Sequence, residues 1–179
     1  MAAKWDQRYL KLAEEISSWS KDPSRHVGAV AVGSKGQVLA QGYNGFPRGV
    51  RDDDARYQDR ETKYKLVVHA EMNCIYNATY NGTSLDGATL YVHGLPVCSE
   101  CAKGIVQVGI KRVIMPLQDV PETWQKSWEL TQSIFAEGSV DWEFIDYESS
   151  SGGIKPIEQE AKKEQYTGSF KPVDDPLGR

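Results

Sequence analysis

Two short runs hold the residue types that could do chemistry. One is His69-Ala70-Glu71 and the other is Pro96-Val97-Cys98-Ser99-Glu100-Cys101. The Cys98 and Cys101 spacing puts both sulfurs on one face of a first helical turn. Amide donors at a helix start favour the thiolate, the form that binds metal. His69 adds an imidazole from a second predicted helix start. Thiolate and imidazole together suit zinc. The ligand count points to catalysis. A structural zinc closes with four protein ligands, whereas two cysteines and one histidine leave a position for water. Zinc lowers the pKa of such a water from 15.7 toward about 7, which gives hydroxide at neutral pH. Glu71 follows His69 by two residues and can reach round the helix end to the same point. There it can take the water's proton and pass it to a substrate.

Each run alone is weak. A Cys-x-x-Cys pair also serves as a redox dithiol or as half of a zinc ribbon. Together the runs lie 29 positions apart, each at a predicted helix start with one strand between. That resembles the His-x-Glu…Pro-Cys-x-x-Cys signature of zinc deaminases, in which the glutamate shuttles protons and is not a ligand. No thioredoxin-like βαβ context precedes the cysteines. A closed site would need Cys74 or His93 as fourth ligand. Cys74 falls five residues into the His69 helix and reads as a buried small hydrophobe. His93 could border a pocket, but it and His26 read more simply as packing or solvated residues.

The elements that must position these runs follow from patterning. Trp5, Tyr9, Leu12, Ile16 and Trp19 form the stripe of an amphipathic helix, ended by Lys21-Asp22-Pro23. Residues 27–32 and 38–43 read as a hairpin around Ser34-Lys35-Gly36-Gln37. Residues 44–66 read as a long loop, of the kind that is usually functional. Helices are predicted at 69–80, 98–109 and 121–136, and strands at 88–93, 111–115 and 140–145. Alternation after a hairpin predicts an α/β domain over 1–147, with a mixed sheet of about five strands flanked by helices. Residues 148–179 open with a Ser/Gly-rich stretch and read as a polar tail, flexible or docked on a neighbouring subunit.

Composition narrows the class. The chain of 179 residues is 40% hydrophobic, enough for one core. Its net charge of -4 disfavours nucleic acid polymers but not a single nucleotide. Three cysteines do not make a disulfide framework. No apolar run reaches the length of a membrane span. The polar N-terminus has no leader-like core, so a cytoplasmic setting is expected.

The chain resembles the deoxycytidylate (dCMP) deaminases. The likeness is carried by Ser20-Lys21-Asp22-Pro23, Val27-Gly28-Ala29, Gly42-Tyr43-Asn44-Gly45 with Pro47, His69-Ala70-Glu71-Met72-Asn73 and Cys98-Ser99-Glu100-Cys101-Ala102-Lys103 through Gly109-Ile110-Lys111. It covers roughly residues 9–145, and the Gly-Tyr-Asn-Gly element selects this branch of the cytidine deaminase-like superfamily. The resemblance implies a three-layer α-β-α sandwich and hydrolysis of dCMP to dUMP and ammonia, with zinc-bound hydroxide attacking C4. It implies a homo-oligomer, often a hexamer, with a dimer or tetramer as alternatives. It also implies dCTP and dTTP as effectors, with an effector role allowed near Gly42 to Asp54. By position, His69, Cys98 and Cys101 hold one zinc per chain and Glu71 is the shuttle. Asn44 would meet the sugar 3′-hydroxyl, the Ala70 amide the base carbonyl, and Arg25 the phosphate.

Two departures stand out. Val97 separates Pro96 from Cys98, where the family places proline next to the cysteine. Met115-Pro116-Leu117-Gln118-Asp119 replaces a segment that carries a tyrosine in many members, so the cover over the base is open; Trp124 could serve, or could be core or interface packing. Residues 46–66 contain no Cys or His for the second zinc that some members bind. Competing substrates are cytidine, dCTP, guanine, a modified cytosine or adenosine in tRNA. A non-catalytic zinc-stabilised module would leave Glu71 without a task.

Overall fold

The computed structural model describes residues 4–148 and the backbone of residues 167–168. The chain opens with α1 (Lys4–Ser17), followed by the hairpin β1 (Gly28–Val32) and β2 (Val38–Tyr43). Next come α2 (Asp54–Gln58), α3 (Arg60–Leu66), α4 (Ala70–Tyr80), β3 (Thr89–His93) and α5 (Ser99–Gln107). β4 (Arg112–Pro116), α6 (Gln125–Glu137), β5 (Asp141–Ile145) and β6 (Thr167–Gly168) complete it. The sheet order is β2-β1-β3-β4-β5-β6. β1 pairs antiparallel with both β2 and β3, and β3, β4 and β5 run parallel. The mixed sheet predicted with about five strands is present, with a two-residue sixth strand added antiparallel to β5.

Alternation along the strands sorts the core into two layers. Val30, Val32, Tyr91, Ile114 and Ile145 face α1, meeting Leu10, Ala13 and Ile16. Ala29, Ala31, Leu90, Val92, Val113 and Met115 face the other helices, meeting Cys74, Ala102, Ile105 and Phe135. Helices on both faces of one sheet make the three-layer α-β-α sandwich. β1 is buried along its whole length, as its uninterrupted apolar run requires of a central strand.

Two expectations change. The stripe on the first helix is offset, for Leu10, Ala13 and Ile16 point inward while Trp5 and Trp19 are 58% and 51% exposed. The inward face also carries Asp6, which is held by Tyr91 Oη at 2.7 Å and by two Arg112 nitrogens at 3.0 and 3.1 Å. Residues 44–66 are not a continuous loop, because α2 and α3 occupy their second half. Two aspartates that looked like loop composition are helix caps: Asp53 accepts from the Arg56 amide and Asp59 from the Glu61 amide. The predicted tail, 148–179, falls almost wholly outside the described residues. Within it, the backbones of Thr167 and Gly168 pair with Glu143 and Trp142 of the same sheet.

Close packing seats α4, the helix that begins beside His69. A Cβ on Gly42 in β2 would collide with the backbone amide of Cys74 and lie 2.6 Å from the Ala70 carbonyl oxygen. Both are helix backbone and cannot rotate away. Gly42→Ala is therefore expected to lower stability by about 1–3 kcal/mol. A urea melt measures this, and an unchanged midpoint would mean that α4 is not seated on β2 as described.

Candidate active site

Two helix starts meet end to end. His69 is the N-cap of α4 and Cys98 the N-cap of α5, both with extended backbone, and neither side chain caps its own helix. Such positions favour Ser, Thr, Asp or Asn, whose side chains bond the first free amides. Here the side chains turn to each other instead. His69 Nδ1 lies 3.3 Å from Cys98 Sγ and 3.5 Å from Cys101 Sγ. Among the described residues these three form the cluster of His, Cys, Asp or Glu donors that could hold an ion, all within 4.8 Å of one another.

The donors share protons. Hydrogen bonds from Cys101 and then His69 hold Cys98 well below the ordinary thiol range. Cys101 moves the other way, because its hydrogen bond to Cys98 and its burial favour the thiol. The bond to Cys98 lifts His69 to about 9. The cluster thus carries a thiolate ready-made in a buried setting. Cys98, Cys101 and His69 converge on one point and fit zinc with three protein ligands, the second thiol and the ring giving up their protons as the metal binds.

Glu71 is 3% exposed and belongs to the first turn of α4. Burial pushes its carboxyl up to about 7, against the pull of His69. It lines a cavity of about 270 Å³ together with His69 and Ala70. Ala70 is the first residue of α4, so its amide is one of those a helix leaves without an internal partner.

The other sequence-predicted residues reach the same cavity. Asn44 lines it, but its side chain also braces the neighbouring loop: Oδ1 accepts from the Val27 amide at 2.8 Å and Nδ2 donates to the Arg25 carbonyl at 2.9 Å. One Nδ2 hydrogen and one Oδ1 lone pair remain. Arg25 lines the cavity and is exposed, with no acidic partner for its guanidinium among the described residues. Trp124 forms part of the wall, its Nε1 donating to the Pro96 carbonyl at 2.9 Å and its ring 6.5 Å from that of His69.

Some expectations are settled by position. Val97 is fully buried in the core and takes a hydrogen bond from Thr131 on its carbonyl, while Leu95 and Pro96 face the cavity. The extra residue before Cys98 therefore spends its side chain on packing. The wall comes from Pro121, Thr123 and Trp124 rather than from residues 115–119. Cys74 is fully buried and lies outside the donor cluster, and burial raises its thiol to about 12. His93 does not border this cavity; it sits on the α1 side of the sheet, edge-on to Tyr147. Ser24, Lys63 and Tyr64 also line the cavity without a signal in the sequence, as does Asp22, which the sequence marks only as part of the Ser20-Lys21-Asp22-Pro23 run. Lys63 is held inward by Asp22 and Ser24, contacts across 41 and 39 positions that leave no local signal in the sequence.

The family model for the cytidine and deoxycytidylate deaminase zinc-binding region matches residues 3–117. An uncharacterised deaminase of Aliivibrio fischeri is 38% identical over 143 residues, spanning 79% of this chain and 93% of that protein. Human deoxycytidylate deaminase is 40% identical over 116 residues, spanning 62% of this chain and 64% of the human protein. The dCMP deaminase of cyanophage S-TIM5, solved with dCMP and dUMP, superposes with a TM-score of 0.64 at 27% identity, covering 81% of this chain and 99% of that one. With most of its length under the family model and the donor set in place, the chain belongs to the cytidine and deoxycytidylate deaminase family.

Proposed function

We propose that this chain hydrolyses dCMP to dUMP and ammonia. The observation that carries the reading is Glu71, buried beside the three metal donors in a cavity that Arg25 and Asn44 also line. The carboxyl touches the donor cluster, hydrogen-bonded to Cys101, and burial raises it to about 7, where it can both take up and release a proton, as a proton shuttle must.

Zinc held by His69, Cys98 and Cys101 would supply Lewis acidity and a water activated at neutral pH. The protein's own groups do the rest. Glu71 takes the two protons of the incoming water in turn, giving the first to the ring nitrogen and the second to the departing amine. Overall the C4–N bond breaks, a C4–O bond forms and ammonia leaves. The free Ala70 amide holds the base carbonyl. The remaining donor and acceptor of Asn44 meet the 3′-hydroxyl. Arg25 meets the phosphate, and Trp124 offers a flat face to the pyrimidine.

The protein works in the cytoplasm as a homo-oligomer, a hexamer by family resemblance, with dCTP and dTTP as effectors. Tyr76 and Tyr80, one turn apart on α4 and 52% and 79% exposed, support a subunit interface at this face. Among the described residues no helix is long and apolar enough to cross a membrane. The acidic chain has no excess of cations for a nucleic acid polymer.

A substrate panel tests the reading. Ammonia release is expected from dCMP, with kcat/KM at least about tenfold higher than for deoxycytidine, since one charge-assisted contact contributes about 1.5–3 kcal/mol. Turnover of dCTP, cytidine or guanine in place of dCMP would overturn the substrate, and no turnover of any of them would overturn the reaction.

A further inference from the structure

We infer that Lys63 is a positioning residue for the substrate phosphate, setting the preference for a nucleoside monophosphate over the free nucleoside. The inference rests on the proposed nucleotide substrate and assigns its selectivity to a buried ion pair.

Lys63 stands on α3 and is 5% exposed. Its Nζ lies 3.1 Å from Asp22 Oδ1 and 3.1 Å from Ser24 Oγ. Asp22 is buried as well, at 5%. Its Oδ1 further accepts from the amides of Ser24 at 2.8 Å and Arg25 at 3.3 Å. One carboxylate oxygen therefore gathers a lysine and two loop amides. On the far side of the loop, Asn44 grips the Arg25 carbonyl and the Val27 amide. The Ser24-Arg25 segment is clamped from both ends, and Asp22, Ser24, Arg25 and Lys63 all line the cavity with Glu71.

A buried ion pair is a poor way to gain stability, because desolvation offsets most of its attraction. Its value here lies in the charge it leaves at the cavity. Asp22 shapes the loop through the Ser24 and Arg25 amides, but alone it would place a negative charge where a phosphate must sit. Lys63 cancels that charge. Two of its three N–H donors are spent on Asp22 and Ser24, and the third remains for an anionic oxygen. Arg25 then keeps its full attraction for the phosphate. A nucleoside, having no phosphate, is indifferent to this balance.

The test compares wild type with Lys63→Met, Lys63→Arg and the double variant Asp22→Asn/Lys63→Met, on dCMP and on deoxycytidine. Zinc content and the urea midpoint are followed in each. For Lys63→Met, KM for dCMP is expected to rise about 10–100-fold, the range of one lost charged contact. kcat/KM for deoxycytidine should stay within about threefold, and Lys63→Arg should recover part of the dCMP preference. The double variant leaves no buried charge unpaired, so it folds even if the single variant does not. Its dCMP preference should fall less than in Lys63→Met, because the Asp22 charge has gone with its partner, yet stay below wild type for want of the third N–H donor. Equal losses on both substrates, or an unchanged preference in the folded double variant, would overturn the inference. Wild type that turns over deoxycytidine but not dCMP would instead overturn the nucleotide reading on which it stands.

Discussion

Glu71→Gln is expected to abolish turnover while a full complement of zinc stays bound. The substitution keeps the shape of the side chain and removes its ability to carry a proton. Glu71 is not one of the three donors that lie within 4.8 Å of one another, so the metal keeps its protein ligands. General acid–base catalysis contributes about 10²–10⁴-fold, and this residue serves more than one transfer, so kcat should fall by at least about 10³-fold. Stability should hold or rise. Burial disfavours the charged form of a carboxylate that is 3% exposed, and a neutral amide escapes that cost. Ammonia release measures the first effect, metal analysis the second and a urea melt the third. Loss of zinc along with activity would make Glu71 a ligand and end its role as shuttle. Retained turnover would end the mechanism.

Much of this site is legible in the sequence because its core is local. His69 and Glu71 are two residues apart, Cys98 and Cys101 three, and each run opens a helix that can be recognised by periodicity. The sheet is legible for the same reason: β1 is a buried apolar run, and the later strands alternate with helices. What escapes the sequence is held by contacts between distant residues. The Lys63–Asp22 pair joins positions 41 apart, and the Asn44 brace reaches back 17 residues to Val27. Neither distance has a periodic signature. α2 and α3 are hidden by their own caps, since Asp53 and Asp59 read as loop composition until their amide partners are seen. The offset on α1 has a different cause. Tryptophan counts as apolar in a stripe, yet the face that packs on the sheet must be narrow, and it carries Leu10, Ala13 and Ile16 with Asp6 paired to Arg112.

Asn44 shows how a residue can be located correctly and still be incompletely read. The family resemblance assigns it to the sugar, and it does line the cavity. Its carbonyl and amide are also half spent on holding the Arg25–Val27 backbone. A substitution there would disturb the loop as well as the contact with substrate. Loss of activity in an Asn44 variant cannot by itself be assigned to one of the two tasks. Lys63, whose contacts leave the 3′-hydroxyl aside, gives the cleaner reading of the phosphate end.

Cys101→Ala is expected to cost zinc, activity and stability together, in contrast to Glu71→Gln. Cys101 is 1% exposed, its sulfur 3.5 Å from His69 Nδ1. Removing it leaves two donors where zinc takes at least three from a protein. Metal content should fall to near zero and turnover should become undetectable. The stability loss has a separate origin. His69 and Cys98 occupy the N-caps of α4 and α5 without capping either helix, so the metal is what ties the two helix starts together. A ligand that binds only the folded state at about a thousand times its dissociation constant stabilises it by about 4 kcal/mol, and that contribution disappears. Wild type stripped with a chelator should show the same drop in melting temperature and recover when zinc is returned. The variant should start low and gain nothing from added zinc. A variant that still held one zinc per chain would mean that a fourth protein group completes the site, and the open position for water would be lost from the mechanism.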